Sequence, residues 1–272
     1  METFDYILRL NDIHSRLVAR PDHPEPSWVR ITTITMCSTF NEKIDIAKFR
    51  EGMTAKAPIR IRNAGTSFKG FEWNIAEKKN KKGDFYNCVS VWYSDCYSTK
   101  KIKLFPNGSI QVCGGANLFD CWMILEHLSW LVSHVLDLEK PVVAAKPSIA
   151  MINTNFSLNS QVNIKRVIER FKRDRRFEVT FNPERYPAVK LKFSPEPGMK
   201  QVTASLFSTG KVIVTGAQTL DEIASAYQVI NGMFDDKSLY AEGRPAKPEK
   251  FDIFMGARFE EWVRVISEKN RV

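Results

Sequence analysis

The sequence predicts an α+β chain in which one unit, strand, helix, four strands, helix, is written twice. Two observations carry this. Leu104–Gly115 lies gap-free over Leu206–Ala217 at a constant offset of 102, with Phe105 on Phe207, Gly108 on Gly210 and Gly114 on Gly216. The segments on either side recur in the same order: Tyr86–Tyr93 over Tyr186–Phe193, and Ile44–Ile46 over Val162–Ile164.

The elements follow in order. Ile31–Thr35 and Ile149–Asn153 are the first strands. Ile164, Val167, Ile168 and Phe171 fall at i, i+3, i+4, i+7, the apolar stripe of a helix. The Phe-x-x-Gly segments read as strand, tight turn, strand, with the turn glycine in a conformation other residues avoid. A second glycine then leads into a helix. Asn117 with Asp120, and Thr219 with Glu222, give each of these helices a capping residue and an acid three positions on. Ile223, Tyr227 and Ile230 share one face.

The copies are unequal. Ile44 to Tyr86 spans 42 positions, whereas Val162 to Tyr186 spans 24. The surplus lies in residues 55–84 and includes Glu77-Lys78-Lys79-Asn80-Lys81-Lys82. That run reads as a solvated loop, with phosphate contact or a nuclear address as alternatives. The boundaries are therefore 1–27 for an N-terminal extension, 28–138 for the first repeat, 139–147 for a linker, 148–236 for the second repeat and 237–272 for a C-terminal extension. The extensions carry amphipathic stretches, Phe4, Ile7, Leu8, Ile13, Leu17 in one and Phe259, Trp262, Val263, Ile266 in the other, read as covers for the core.

The chain has 272 residues, 43% hydrophobic and 26% charged, enough for a sizeable core. A net charge of +9 favours polyanion partners, with a merely basic surface as the alternative. No apolar run reaches the roughly 20 residues of a membrane span, and Met1-Glu2-Thr3-Phe4-Asp5 lacks the basic start of a secretory signal. The expectation is an intracellular protein. Five cysteines without a C-x-x-C support neither a disulfide framework nor a zinc ribbon. No phosphate-binding Gly-Lys loop, metal-ligand spacing or carboxylate pair points to catalysis, so no enzyme, cofactor, metal or small-molecule substrate is expected.

Three segments together resemble the TATA-box-binding protein family: Asn182–Val189, Leu206–Lys211 and Val214–Ala217. The resemblance spans about residues 28–234 and is sharpest in the second copy. Met151-Ile152-Asn153-Thr154 and Phe105–Ser109 are most similar to the divergent versions of large cytoplasmic DNA viruses, which would place the protein in a host nucleus or a viral factory. The resemblance implies a pseudo-twofold saddle, a ten-stranded curved antiparallel sheet with helices on its convex face. It implies a transcription initiation factor that sits on the minor groove of A/T-rich double-stranded DNA and bends it with aromatic wedges.

Residue by residue, Phe105 and Phe207 match the family's hairpin wedges, and Tyr86 and Tyr186 fall at their partner positions. A·T minor grooves offer acceptors and apolar walls. Gln111, Cys113, Ile213 and Thr215 match floor positions, as do Thr33, Thr35, Met151 and Asn153. The family's central asparagine pair falls at Thr33 and Met151, and Gln111 and Cys113 also depart, which weakens the case for a strict TATA preference. Arg185, Lys192 and Lys211 match basic positions near phosphates. Glu184 matches an acid that meets the B-type general initiation factor, which would link the protein to the RNA polymerase machinery. The alternative is an interaction module that keeps the saddle and has lost sequence-specific DNA binding.

Overall fold

In the computed structural model the described residues are 2–56, 59–61, 70–75, 87–95, 99–115, 118–242, 253–254 and 257–258. They form two compact units, Thr33–Ala150, and Met1–Thr32 with Met151–Val272. Among the described residues no helix is long and apolar enough to cross a membrane.

α1 (Glu2–Val18) opens the chain, followed by β1 (Arg30–Thr39), α2 (Ile46–Lys56), β2 (Ile59–Ile61), β3 (Phe71–Ile75), β4 (Val89–Ser94), β5 (Thr99–Leu104), β6 (Ser109–Gly115) and α3 (Leu118–Val135). In the unit Thr33–Ala150 the antiparallel order is β2-β3-β4-β5-β6-β1. The sequence leads one to expect four strands between α2 and α3; the described residues form five. The additional strand, β2, pairs with β3 through Ile59↔Trp73 and Ile61↔Phe71 and is built from the surplus residues of the first copy. The run 77–82 lies outside the described residues.

The second repeat follows the expected pattern throughout: β7 (Ser148–Ser157), α4 (Ile164–Lys172), β8 (Glu178–Asn182), β9 (Tyr186–Phe193), β10 (Val202–Leu206), β11 (Lys211–Ala217) and α5 (Leu220–Met233). Its strands run β7-β11-β10-β9-β8. The fold class is α+β, as the sequence predicts.

Local chemistry explains the helix starts. Asp45 and Asn163, equivalent in the two copies, accept hydrogen bonds from Lys48 N (3.0 Å) and Arg166 N (3.2 Å). Thr219 and Glu222 close a capping box on α5; the matching site at Asn117 lies outside the described residues. The core faces agree as well. Phe49 and Met53 of α2 and Val167 and Phe171 of α4 are all buried, each contributing about 1.5–3 kcal/mol.

Of the expected N-terminal stripe, Ile7, Ile13 and Leu17 are buried and Leu8 is half-buried, while the Phe4 side chain lies outside the described residues. Tyr6 and Leu10 of α1 are buried as well, and polar contacts fix α1 against α5. Arg9 donates to Asp221 (3.0 Å), Glu196 (2.6 Å) and Ser225 Oγ (2.7 Å). His14 stacks on Trp28 at 3.6 Å between centroids, with Nδ1 3.0 Å from the Tyr227 hydroxyl, which donates to Ser27 O at 2.9 Å. Burial lowers His14 to about 4 and raises Tyr227. The stretch Phe259–Ile266 lies outside the described residues.

Candidate nucleic-acid interface

Each Phe-x-x-Gly hairpin is a clamped turn. Phe207 N donates to Lys211 O and Gly210 N to Phe207 O, both at 2.9 Å. The loop before α4 grips the same turn, with Leu158 N bonded to Gly210 O and Val162 N to Ser208 O, again at 2.9 Å. In the first copy Phe40 N and Ile44 N bond to Gly108 O and Pro106 O at the same distance. Gly108 and Gly210 both have φ +83°, and a Cβ on Gly210 would sit 2.0 Å from Ser160 O. Glycine is required there by conformation and by space. The phenylalanine at the turn's start is thereby held on a rigid backbone.

Alternation sorts each sheet into two faces. In the second repeat Ile152, Val189, Leu191, Ala204, Leu206, Val212 and Val214 are buried. The other face carries two cross-strand rows. One is Glu178–Lys192–Thr203–Thr215; the other is Thr180–Lys190–Ser205–Ile213–Asn155. Met151 and Asn153 of β7 share the half-buried side with Asn155. The predicted Lys192, Ile213, Thr215, Met151 and Asn153 thus lie on one face of this unit.

At one end of that face the predicted aromatic pair meets. Tyr186 and Phe207 stand 5.7 Å apart between centroids at 68°, and Lys190 Nζ lies 5.2 Å from the Tyr186 ring. Tyr186 is 36% exposed, which leaves its ring accessible. Beside Phe207 a cleft of about 530 Å³ is lined by Arg30, Asn155, Lys211 and Ile213. Lys211 and Arg185 are exposed, as is Glu184 in the β8–β9 turn. Lys192 is 3.6 Å from Glu178, so part of its charge is already balanced.

In the first repeat the predicted Thr35 and Cys113 are direct cross-strand neighbours, and Gln111 pairs with Cys37. Thr33, Gln111 and Cys113 are half-buried, and Thr35 is 8% exposed. Burial, with Cys113 nearby, pushes the Cys37 thiol up, which keeps it uncharged. Phe105 is half-buried at its turn. Tyr86 lies outside the described residues.

Several residues on these faces escape a motif-based reading: Lys190, Ser205 and Asn155 in the second repeat, and Trp92, Lys101 and Lys103 in the first. The buried Asn155 Oδ1 has no hydrogen-bond partner among the described residues. Counting by twos along β5 and β9 would have found the lysines; only the register links them to Gln111 and Ile213.

Residues 146–236 match the family model for transcription factor TFIID, or TATA-binding protein. A "TATA-box-binding protein-like" protein of Acanthamoeba polyphaga mimivirus is 23% identical over 236 residues, covering 75% of this chain and 64% of that protein. The TATA-box-binding protein of Thermococcus celer is 35% identical over 81 residues, covering 30% of this chain and 38% of its own length. The chain therefore spans less than two thirds of either relative. The solved structure of Methanococcus jannaschii TBP superposes with a TM-score of 0.50 at 12% identity, covering 76% of this chain and 98% of that one. The second repeat thus matches the TATA-binding protein family model, and 76% of the chain shares the fold of the Methanococcus jannaschii protein.

Proposed function

We propose that the protein is a DNA-binding transcription initiation factor that engages the minor groove of A/T-rich duplex DNA and bends it with aromatic wedges. The observation that carries this is the Tyr186–Phe207 pair, 5.7 Å apart, at the end of a strand face bearing Lys190, Thr203, Ile213 and Thr215. Unstacking a base step costs a few kcal/mol, offset by the protein surface that a bent duplex can cover. Phe207 on its clamped turn and Tyr186 at the start of a paired strand enter the step with little left to order. Lysines at the margins supply affinity without sequence information. In this reading Glu184, exposed in its turn, is where a B-type initiation factor docks and brings in the polymerase. The test is end-to-end fluorescence transfer on an A/T-rich duplex. Bending by the wild type that is lost in Phe105→Ala with Phe207→Ala is the expected result, and an undistorted duplex removes the reading.

A second reading is an interaction module without sequence-specific DNA binding. It is favoured by the outer face of α3, where Trp122, Met123 and Trp130 are 48%, 43% and 43% exposed. Under this reading the double-phenylalanine variant retains function.

A further inference from the structure

Each repeat carries a pair of lysines two apart on one strand, and the strand differs; the second also has Lys211 at the start of β11. In the second, Lys190 and Lys192 stand on β9, opposite the hydroxyls Ser205 and Thr203 of β10. In the first the order is reversed: Lys101 and Lys103 stand on β5, opposite Trp92 and Ser90 of β4. The lysine pair stands one strand further in, about 4.8 Å. It now adjoins Cys113 and Gln111, the residues next to Lys101 and Lys103 across β6. The strand that carries lysine in the second repeat carries a tryptophan here. Trp92 is 39% exposed, although Val91 and Tyr93 on either side of it are buried, and Lys101 Nζ lies 5.8 Å from its ring.

This arrangement is poorly matched to a duplex groove. A minor groove presents base edges to the middle of a protein face and phosphates at its rims. Lysines in the middle and an aromatic ring outside them suit the opposite layout. A single strand can run its backbone along the lysines and turn a base outward onto the ring, the combination by which strand faces hold unpaired nucleic acid. We infer that the β4–β5 face of the first repeat binds single-stranded nucleic acid, with Trp92 as the stacking platform and Lys101 and Lys103 as the phosphate track. The inference rests on the reading that these strand faces meet nucleic acid, and it assigns the first repeat a different form of it from the second.

Fluorescence anisotropy of the full chain with labelled oligo-dT and oligo-U strands of about twelve nucleotides, beside an A/T-rich duplex, tests this. The wild type is expected to bind a single strand, and the strand preferred tells DNA from RNA. Trp92→Ala weakens that binding about tenfold, and Trp92→Phe, which keeps a ring, restores most of it. Lys101→Ala with Lys103→Ala lowers the slope of log affinity against log salt by up to about 1.4. Phe207→Ala leaves single-strand binding intact while reducing duplex bending. A wild type that binds duplex but no single strand overturns the inference and leaves the duplex reading standing. So does a Trp92→Ala variant that binds single strands as well as wild type. Single-strand binding that depends on Trp92, without any duplex bending, keeps the inference and removes the duplex reading.

Discussion

Tyr186 meets Phe207 edge-on, 5.7 Å between centroids, although 20 residues intervene between them in the chain. The contact follows from strand register. β9 and β10 pair through Val189↔Leu206, which brings the start of one strand beside the end of the other. The phenol can also receive Lys190, 5.2 Å from its ring. Tyr186→Phe is therefore expected to bend duplex DNA about as well as wild type. Tyr186→Ala and Phe207→Ala should each weaken binding by about 1–3 kcal/mol, the worth of one base–aromatic contact. Gel-shift titration with a bending readout decides between them.

Salt dependence tests the charges. Lys211→Ala removes an exposed cation beside the Phe207 cleft, so its duplex affinity should lose up to about 0.9 of a unit in log–log salt slope. Lys192→Ala should likewise lose less than the full ~0.9, because Glu178 at 3.6 Å already offsets part of that ammonium. Titrations from low to high salt on a single duplex give both slopes.

Glycine at the turn is a stability requirement. Gly210→Ala forces φ +83° on an alanine and drives its Cβ to 2.0 Å from Ser160 O. A loss of at least about 2 kcal/mol is expected. Gly198 has a similar φ of +86° but nothing within 4 Å, so Gly198→Ala should cost only about 1 kcal/mol. Paired thermal melts of the two variants show whether space or conformation dominates.

The buried imidazole makes stability depend on pH. His14 is held at about 4 by burial, below the usual 6.5 or so. The unfolded chain therefore binds a proton that the folded chain refuses. Stability is full above about 6.5, falls as pH drops from there to about 4, and levels off below, for a loss of up to about 3 kcal/mol. His14→Gln should flatten that part of the melting-temperature profile.

A buried ion pair in the first repeat has no counterpart in the second. Lys100 Nζ lies 2.5 Å from Asp95 Oδ2, with side chains 0% and 7% exposed, where the second repeat has Val202 and Pro195, both buried. Lys100→Ala takes the ammonium away from a carboxylate only 7% exposed and should cost up to about 3–5 kcal/mol. Lys100→Val with Asp95→Ala should recover most of that, measured by denaturant unfolding.

The α+β class, the duplication and both hairpins are properties the sequence determined by itself. They depend on short-range patterns: alternation along strands, the i, i+3, i+4 stripe of α4, and glycines 3 residues after Phe105 and Phe207. The tertiary structure alone decided what crosses the chain. The union of Tyr186 with Phe207 needed the β9–β10 register. The seating of α1 on α5 needed Arg9 to find Asp221 and Glu196 about 200 residues away. Alternation from Ile102 does point Lys100 inward, but a lysine is accepted in a core only once a partner such as Asp95 is in place. The one-strand shift of Lys101 and Lys103 became visible only when each was matched to its cross-strand neighbour. Local propensity acts over a few residues, whereas pairing and burial act between segments whose proximity only the folded chain establishes.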